Sequence, residues 1–239
     1  MKKFYFIAMI GMVLALTSCR IECSADTDKS PKVTKVIDVA DFTALKTYGA
    51  FDVEYIYGEK PQVKIVASQK SMEQIDVENE NGTIVVKRKE RSSKFDRKGS
   101  WVKIVGNEYC GGTIYITGPH LCQVSLSGSG DFVSKSQMKG DNVYFSIEGS
   151  GDITVPSVVC KNLENSIAGS GSITMKRIKA ENVKNSIAGS GDLDLFMDHV
   201  GSVQNSVAGS GDISLGGTCK SVNNSVAGSG DIEDKTTKW

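Results

Sequence analysis

A chain of 239 residues with 28 basic and 28 acidic side chains carries no net charge, which excludes a general electrostatic pull toward nucleic acid or an anionic surface. Its 25 glycines are more than a helical protein tolerates, since each costs roughly 1 kcal/mol in a helix interior. With few aromatics and four prolines, the composition points to an all-β chain, either one elongated domain or two smaller ones.

The chain opens with "MKK" and the apolar run "FYFIAMIGMVLAL", the basic and hydrophobic regions of a secretory signal. A run of roughly 13 residues is too short for a permanent membrane span. "LTSC" at 16–19 resembles the lipobox of bacterial lipoproteins, in which the cysteine is acylated and becomes the mature N-terminus. Residues 1–18 are then a lipoprotein signal peptide, Cys19 the lipidation site, and the protein an outer-membrane-anchored lipoprotein of the cell envelope. Each buried acyl CH₂ contributes about 0.8 kcal/mol to such an anchor. The plainer reading is an ordinary cleaved signal in which Cys19 is incidental. No dense acidic run follows Cys19, so the periplasmic face and the cell surface both stay open. Residues 19–35 lack periodicity and read as a flexible tether.

From Val36 the pattern is strand-like, and 36–239 reads as a single domain, with less regular strands over 36–122 and regular coils over 123–239. "AFDVEYIYG" sets Phe51, Val53, Tyr55 and Tyr57 on one face against Asp52, Glu54 and Ile56. "QVKIVAS" alternates likewise, and "QIDVENENGTIVVKRK" predicts a hairpin turning at Asn81-Gly82. "WVKIV" at 101–105 and "TIYIT" at 113–117 complete the strands, and no stretch shows a 3.6-residue period. The segment 87–100 holds seven basic and two acidic residues. It reads as a solvated hairpin end and loop more readily than as a patch for anionic glycan.

Gly-Ser-Gly then recurs six times, as Gly128/Gly130, Gly149/Gly151, Gly169/Gly171, Gly189/Gly191, Gly209/Gly211 and Gly228/Gly230, at intervals of 19–21 residues. A period near 20 in strand-forming sequence marks a solenoid whose coils stack about 4.8 Å apart. The triplets suit tight corners, both glycines supplying φ values that a Cβ forbids. Three apolar columns follow from the register: Leu126 to Val226, Val143 to Val222, and Phe132 to Ile232. Each buried branched side chain is worth roughly 1.5–3 kcal/mol.

The column four places before each triplet reads Phe145, Asn165, Asn185, Asn205, Asn224. This predicts an inward amide ladder placed at a bend. The serines one place later form an outward hydroxyl column, with no histidine in register to serve as a base. Asp131, Asp152, Asp192, Asp212 and Asp231 also stack, with Ser172 interrupting. Such carboxylates either bond to the amides of their own turns or offer oxygen ligands to Ca²⁺, the one cofactor the sequence suggests. Once stacking accounts for nearly every residue of the repeated heptad, a binding site is expected elsewhere on the surface.

Of the cysteines, Cys110 and Cys122 are the favoured disulfide pair. Cys160 and Cys219 fall on equivalent sites three coils apart, too far to bridge, and are expected to be buried and unpaired. The polar end "EDKTTKW" caps the last coil thinly and leaves an edge strand able to pair with another subunit.

The succession "GAFDVEYIYG", "VKIVAS", "NGTIVVKR", "VSLSGSGDF", "IEGSGDI", "IAGSGSI" resembles the DUF2807 family, described as putative auto-transporter adhesin, head GIN domain, over roughly Asp41 to Ile232. The resemblance implies a right-handed parallel β-helix or β-solenoid, a pectin-lyase-like superhelix with GSG tight turns, and a role in cell adhesion. Ser172 departs from the usual Asp. The expected function is therefore a non-catalytic, envelope-anchored surface-interaction protein. Its expected partners are the membrane, through the lipid anchor, and surface glycans or proteins of host or bacterial origin; nucleic acid is not among them. A homo-oligomer is compatible with the chain. The rival readings are a carbohydrate-active enzyme of polysaccharide-lyase type, and a passive structural or envelope-stress element.

Overall fold

The computed structural model describes residues 31–89 and 111–239. Cys19, Cys110, the strand expected at 101–105 and most of the basic segment lie outside the described residues.

The molecule is a stack of parallel coils. Two coils resolve into three short strands each: β10 (Asn142–Gly149), β11 (Ile153–Val155) and β12 (Val158–Val159) form one, preceded by β7 (Gln123–Gly128), β8 (Phe132–Ser134) and β9 (Met138–Lys139). The strands then lengthen and fuse through β13 (Asn162–Gly169), β14 (Ser172–Lys179), β15 (Asn182–Gly189), β16 (Asp192–Gly209), β17 (Ile213–Gly228) and β18 (Ile232–Thr237). Every pairing among these strands is parallel, so Ile147 lies on Ile167, Ile167 on Ile187 and Ile187 on Val207.

The three apolar columns are core: Ile147, Ile167, Ile187, Val143, Leu163, Val183, Ile153, Ile173 and Leu193 are all buried. A fourth column, Ser134, Val155, Met175, Leu195 and Leu215, continues the alternation after each corner and is equally buried. Only the last coil breaks the pattern, with Val226 43% exposed where Val207 is 1%.

The N-terminal half holds the first coil, concealed in an earlier strand. β2 (Ala44–Tyr57) pairs in parallel with β7 and β8, placing Gly49 on Gly128 and Val53 on Phe132. "GAFD" at 49–52 is thus a degenerate version of "GSGD" at 128–131. Phe51, Val53 and Tyr55 are buried, but Tyr57 is 57% exposed, because the strand has left the core by then. The other half of each wall grows outward from β2. β5 (Thr83–Arg88) pairs with its start and β4 (Ile75–Glu80) with β5. β6 (Gly111–Gly118) pairs with its end, followed by β3 (Gln62–Ser68) and β1 (Lys32–Asp38), both antiparallel. β1 therefore begins before Val36, within the segment that reads as tether.

The β4–β5 hairpin turns at Asn81 and Gly82, with φ of 52° and 83°. One helix, α1 (Gln69–Gln74), had no periodic signal in six residues. Ser68 caps it by accepting a hydrogen bond from Ser71 N–H at 3.1 Å, and Met72 packs on the end of the core.

Candidate interaction surface

Along β13, β15 and the second half of β16, side chains alternate between the core and one flat wall. Asn165, Asn185 and Asn205 point inward and are at most 4% exposed. They sit mid-strand, away from the corner, because the triplet that makes the bend begins four residues after each amide. Asn165 Nδ2 donates to Asn185 Oδ1 at 2.8 Å, Asn185 to Asn205 at 2.7 Å and Asn205 to Asn224 at 2.7 Å. The ladder has a direction. Its acceptor end, Asn165 Oδ1, is buried with no partner, since the preceding coil supplies Phe145 at that place.

The outer face of the same wall carries the serine column, whose upper members Ser206 and Ser225 are exposed. Beside it runs Glu164, Lys184, Gln204 and Asn223. Glu164 accepts from Lys184 Nζ at 2.8 Å, which raises the lysine pKa above its ordinary value. A second ladder, absent from the sequence reading, runs along the wall's margin with the opposite polarity. Asn162 Nδ2 donates back to Asn142, Asn182 back to Asn162, and Ser202 Oγ back to Asn182, at 2.8–3.0 Å. Its signal was available as asparagine recurring every 20 residues at 142, 162 and 182.

A shallow depression of ≈ 560 Å³ lies on this wall toward the C-terminal end, lined by Lys184, Ser186, Gln204, Ser206, Asn223 and Ser225. The depression lies on the repeated heptads, because alternate residues of a strand that builds the core must face solvent.

The aspartates occupy the corner after each triplet and bond to the neighbouring coil in place of their own turn. Asp131 Oδ1 accepts from Asp152 N–H at 2.9 Å, Asp192 from Asp212 at 3.0 Å and Asp212 from Asp231 at 2.8 Å. Asp52 begins the series by accepting from Asp131 N–H. Ser172 closes the gap from its side, giving both its N–H and its hydroxyl to Asp152 Oδ1 at 2.8 Å. Asp231 alone turns to its own neighbour, Ile232 N–H, at 2.8 Å. Stacking brings the next coil's amide within 2.8–3.0 Å of these carboxylates. Among the described residues no group of three His, Cys, Asp or Glu converges in a way that could hold a metal ion.

The two glycines of each triplet do different work, which corrects the single turn-forming role expected of both. The first ones, Gly128, Gly149, Gly169, Gly189, Gly209 and Gly228, have φ between 135° and 142°, a region that L side chains rarely adopt. The second ones do not share it: none of Gly130, Gly151, Gly171, Gly191, Gly211 and Gly230 has a positive φ. These six are glycine for want of room. A Cβ on Gly130 would run into the Phe51 carbonyl oxygen, and one on Gly151 into that of Gly130. The clash repeats up the stack, Gly171 meeting Gly151, Gly191 meeting Gly171, Gly211 meeting Gly191 and Gly230 meeting Gly211. All but Gly230, on the last coil, are buried. The corner is thus a backbone-to-backbone contact between coils as well as a bend.

Of the cysteines, Cys122 has its Sγ donating to Lys139 O at 3.4 Å; its expected partner Cys110 lies outside the described residues. Cys219 is buried, while Cys160 is only partly so; burial, with Cys122 nearby, pushes the Cys160 thiol up to about 12. At the far corner His199 Nδ1 lies 3.0 Å from Asp198, its ring tilted against Trp239 with centroids 5.4 Å apart. No serine or cysteine side chain among the described residues bonds to a histidine ring.

Comparison with known proteins places this geometry. The family model DUF2807, "Putative auto-transporter adhesin, head GIN domain", matches residues 41–237. A putative lipid binding protein from Parabacteroides distasonis is similar in structure with a TM-score of 0.66 at 21% identity, covering 87% of this chain and 98% of that one. A putative adhesin from Bacteroides fragilis gives 0.63 at 21% identity, covering 87% and 97%. One from Parabacteroides merdae gives 0.56 at 21%, covering 87% and 98%. At that identity the likeness concerns fold, and the two kinds of name attached to it differ. No curated protein matches the chain.

Proposed function

The chain belongs to the DUF2807 family, and from that premise we propose that it is a non-catalytic, envelope-anchored adhesin whose flat polar wall binds a surface glycan. One observation carries this reading: hydroxyls and amides repeat along the wall at coil spacing around the recess lined by Ser186, Ser206 and Ser225. A polymer of repeating sugars presents hydroxyls in an extended series, and a rigid ladder of donors and acceptors meets it with little loss of its own conformational freedom. A wall with one ion pair and mostly neutral groups favours neutral or weakly charged sugars over polyanions. Acylation at Cys19 would hold the protein at the envelope.

A glycan array probed with the full chain tests the reading. Binding to a restricted set of glycans, weakened by Gln204→Ala and Lys184→Ala in a protein that melts as wild type, is the expected result. Uniformly null binding overturns it. Unsaturated product absorbance on uronate polymers would replace it with a lyase. Loss of radiolabelled palmitate on Cys19→Ser checks the anchor separately.

A further inference from the structure

The flat wall continues past the regular coils to its N-terminal end. β2 lies beside β7, β5 adds to the start of β2 with Val85 beside Lys46, and β4 follows with Glu78 beside Val85. Two outward rows can be traced along it. One reads Lys46, Ser125, Ser146, Ser166 and Ser186. The other reads Tyr48, Ser127, Glu148, Ala168 and Ala188. Over the regular coils the rows settle to serine and alanine, but on the first coil they carry a cation and an aromatic ring.

Those two side chains share a second depression, of ≈ 480 Å³. It lies four coil steps, or about 19 Å, from the level of Ser186 in the first one. Val85, although on the outward side of β5, is 6% exposed and gives the depression an apolar floor. Tyr48 is 49% exposed, so its ring is not spent on the core. Asn81 and Thr83, at the β4–β5 turn, add an amide and a hydroxyl to the rim. Lys87 is already engaged, its Nζ 2.7 Å from Glu78 and 3.9 Å from Glu80. Lys46 pairs with no carboxylate among the described residues.

We propose that this depression is a subsite for an acidic sugar, a pyranose carrying one carboxylate, with its ring on Tyr48 and its carboxylate on Lys46 Nζ. The proposal rests for its ligand class on the reading of the wall as a glycan surface, and adds where along the wall a charged residue of the ligand sits. An aromatic side chain offers a broad apolar face with a polar tip, which suits the C–H face of a sugar ring. Asn81 and Thr83 supply directional bonds for its hydroxyls. An ammonium without a partner makes a charge-assisted bond to a carboxylate, stronger than any the neutral rows can offer. Glu78 and Glu80 stand behind Lys87, so the site holds one spare positive charge and disfavours a dianion such as phosphate.

Amide NMR of the full chain in mild detergent, titrated with glucuronate, galacturonate and N-acetylneuraminate, tests it, with glucose and acetate as controls. At least one sugar acid is expected to shift the amides of 46–48 and 83–87, with glucose and acetate binding there on the order of tenfold more weakly. Lys46→Gln should weaken the sugar acid by about tenfold and leave glucose unchanged. Tyr48→Ala, at an exposed position, should melt as wild type and lose all three acids. Added salt should weaken the acids and not glucose. The proposal is overturned if no sugar acid shifts 46–48, if acetate or glucose binds there as tightly, or if Lys46→Gln changes nothing. Array binding weakened by Gln204→Ala, with 46–48 unmoved by every acid, would strike the subsite and keep the wall. Shifts at 46–48 with a null array would keep the subsite and strike the wall.

Discussion

Asn165 gives its side-chain N–H to Asn185 Oδ1 at 2.8 Å, but its own Oδ1 receives nothing, though buried. The wall's interior is a one-way chain of donors that starts against Phe145 and runs toward the open end. An orphaned buried acceptor costs about 1–3 kcal/mol, and this one is the structural consequence of beginning a ladder somewhere.

That polarity predicts unequal losses from identical substitutions. Asn165→Leu removes one orphan and creates another at Asn185 Oδ1, so its cost is expected to stay within about 1 kcal/mol. Asn185→Leu orphans both Asn165 Nδ2 and Asn205 Oδ1, at about 1–3 kcal/mol for each group. Urea denaturation of the two variants decides; equal losses would refute a directional ladder.

At the corners the limiting factor is backbone crowding. Gly209→Ala is expected to cost about 2–4 kcal/mol, combining an unfavourable φ with a Cβ pressed on the Gly189 carbonyl. Gly211→Ala meets the Gly191 carbonyl without the φ penalty, and should cost about 1–3 kcal/mol. Ser210→Ala, between the two glycines, should stay within about 0.5 kcal/mol. Thermal melting of the three variants measures the contrast.

The corner aspartates are predicted to act as caps. Asp212→Ala frees Asp231 N–H and should cost about 0.5–1.5 kcal/mol. Asp212→Asn keeps an acceptor and should cost less. Calcium should leave the melting temperature of wild type and Asp212→Asn equally unchanged. A calcium-dependent rise in wild type that Asp212→Asn abolishes would instead show that the carboxylates hold the ion.

Cys160 sets an alkaline limit. Its thiol is pushed from 9.0 to about 12, so the folded state holds the proton more tightly than the unfolded state does. The contribution to stability is complete below pH 9 and is lost as pH rises from there toward about 12. Cys160→Ala should flatten stability over that window. At a pH of about 8, iodoacetamide should modify Cys160 in the unfolded chain much faster than in the folded one.

The coils were legible because stacking forces the same residue type onto the same place every 20 residues, as Ile147, Ile167 and Ile187 show. What escaped the sequence were features with no repeat to announce them. Gly49 and Asp52 begin the solenoid, but the coil they open lies 79 residues before its successor at Asp131, separated by strands that pair antiparallel. Phe51 stands where later corners have Gly130 and its equivalents, which conceals the match. α1 is too short to display a period. The two glycines of a triplet look interchangeable in sequence; in the stack both leave no room for a Cβ against the neighbouring coil, and only the first also needs a positive φ. The aspartate bonds were misassigned for another reason: sequence order favours a partner in the same turn, whereas stacking brings an amide 20 residues away nearer to the carboxylate. The outward serine column was legible from the same alternation, but the Glu164, Lys184, Gln204 and Asn223 row beside it was not, because its residue type changes from coil to coil.

The register of these coils also makes length a free parameter. Gly169 lies on Gly189 and the carboxylates on either side, Asp152 and Asp192, reach one coil along, so excising residues 170–189 rejoins equivalent points and should shorten the rod by about 4.8 Å without opening a ladder. A molecule built this way is a ruler graduated in single coils, and duplication or loss of one graduation resets its reach while the rest stays in register.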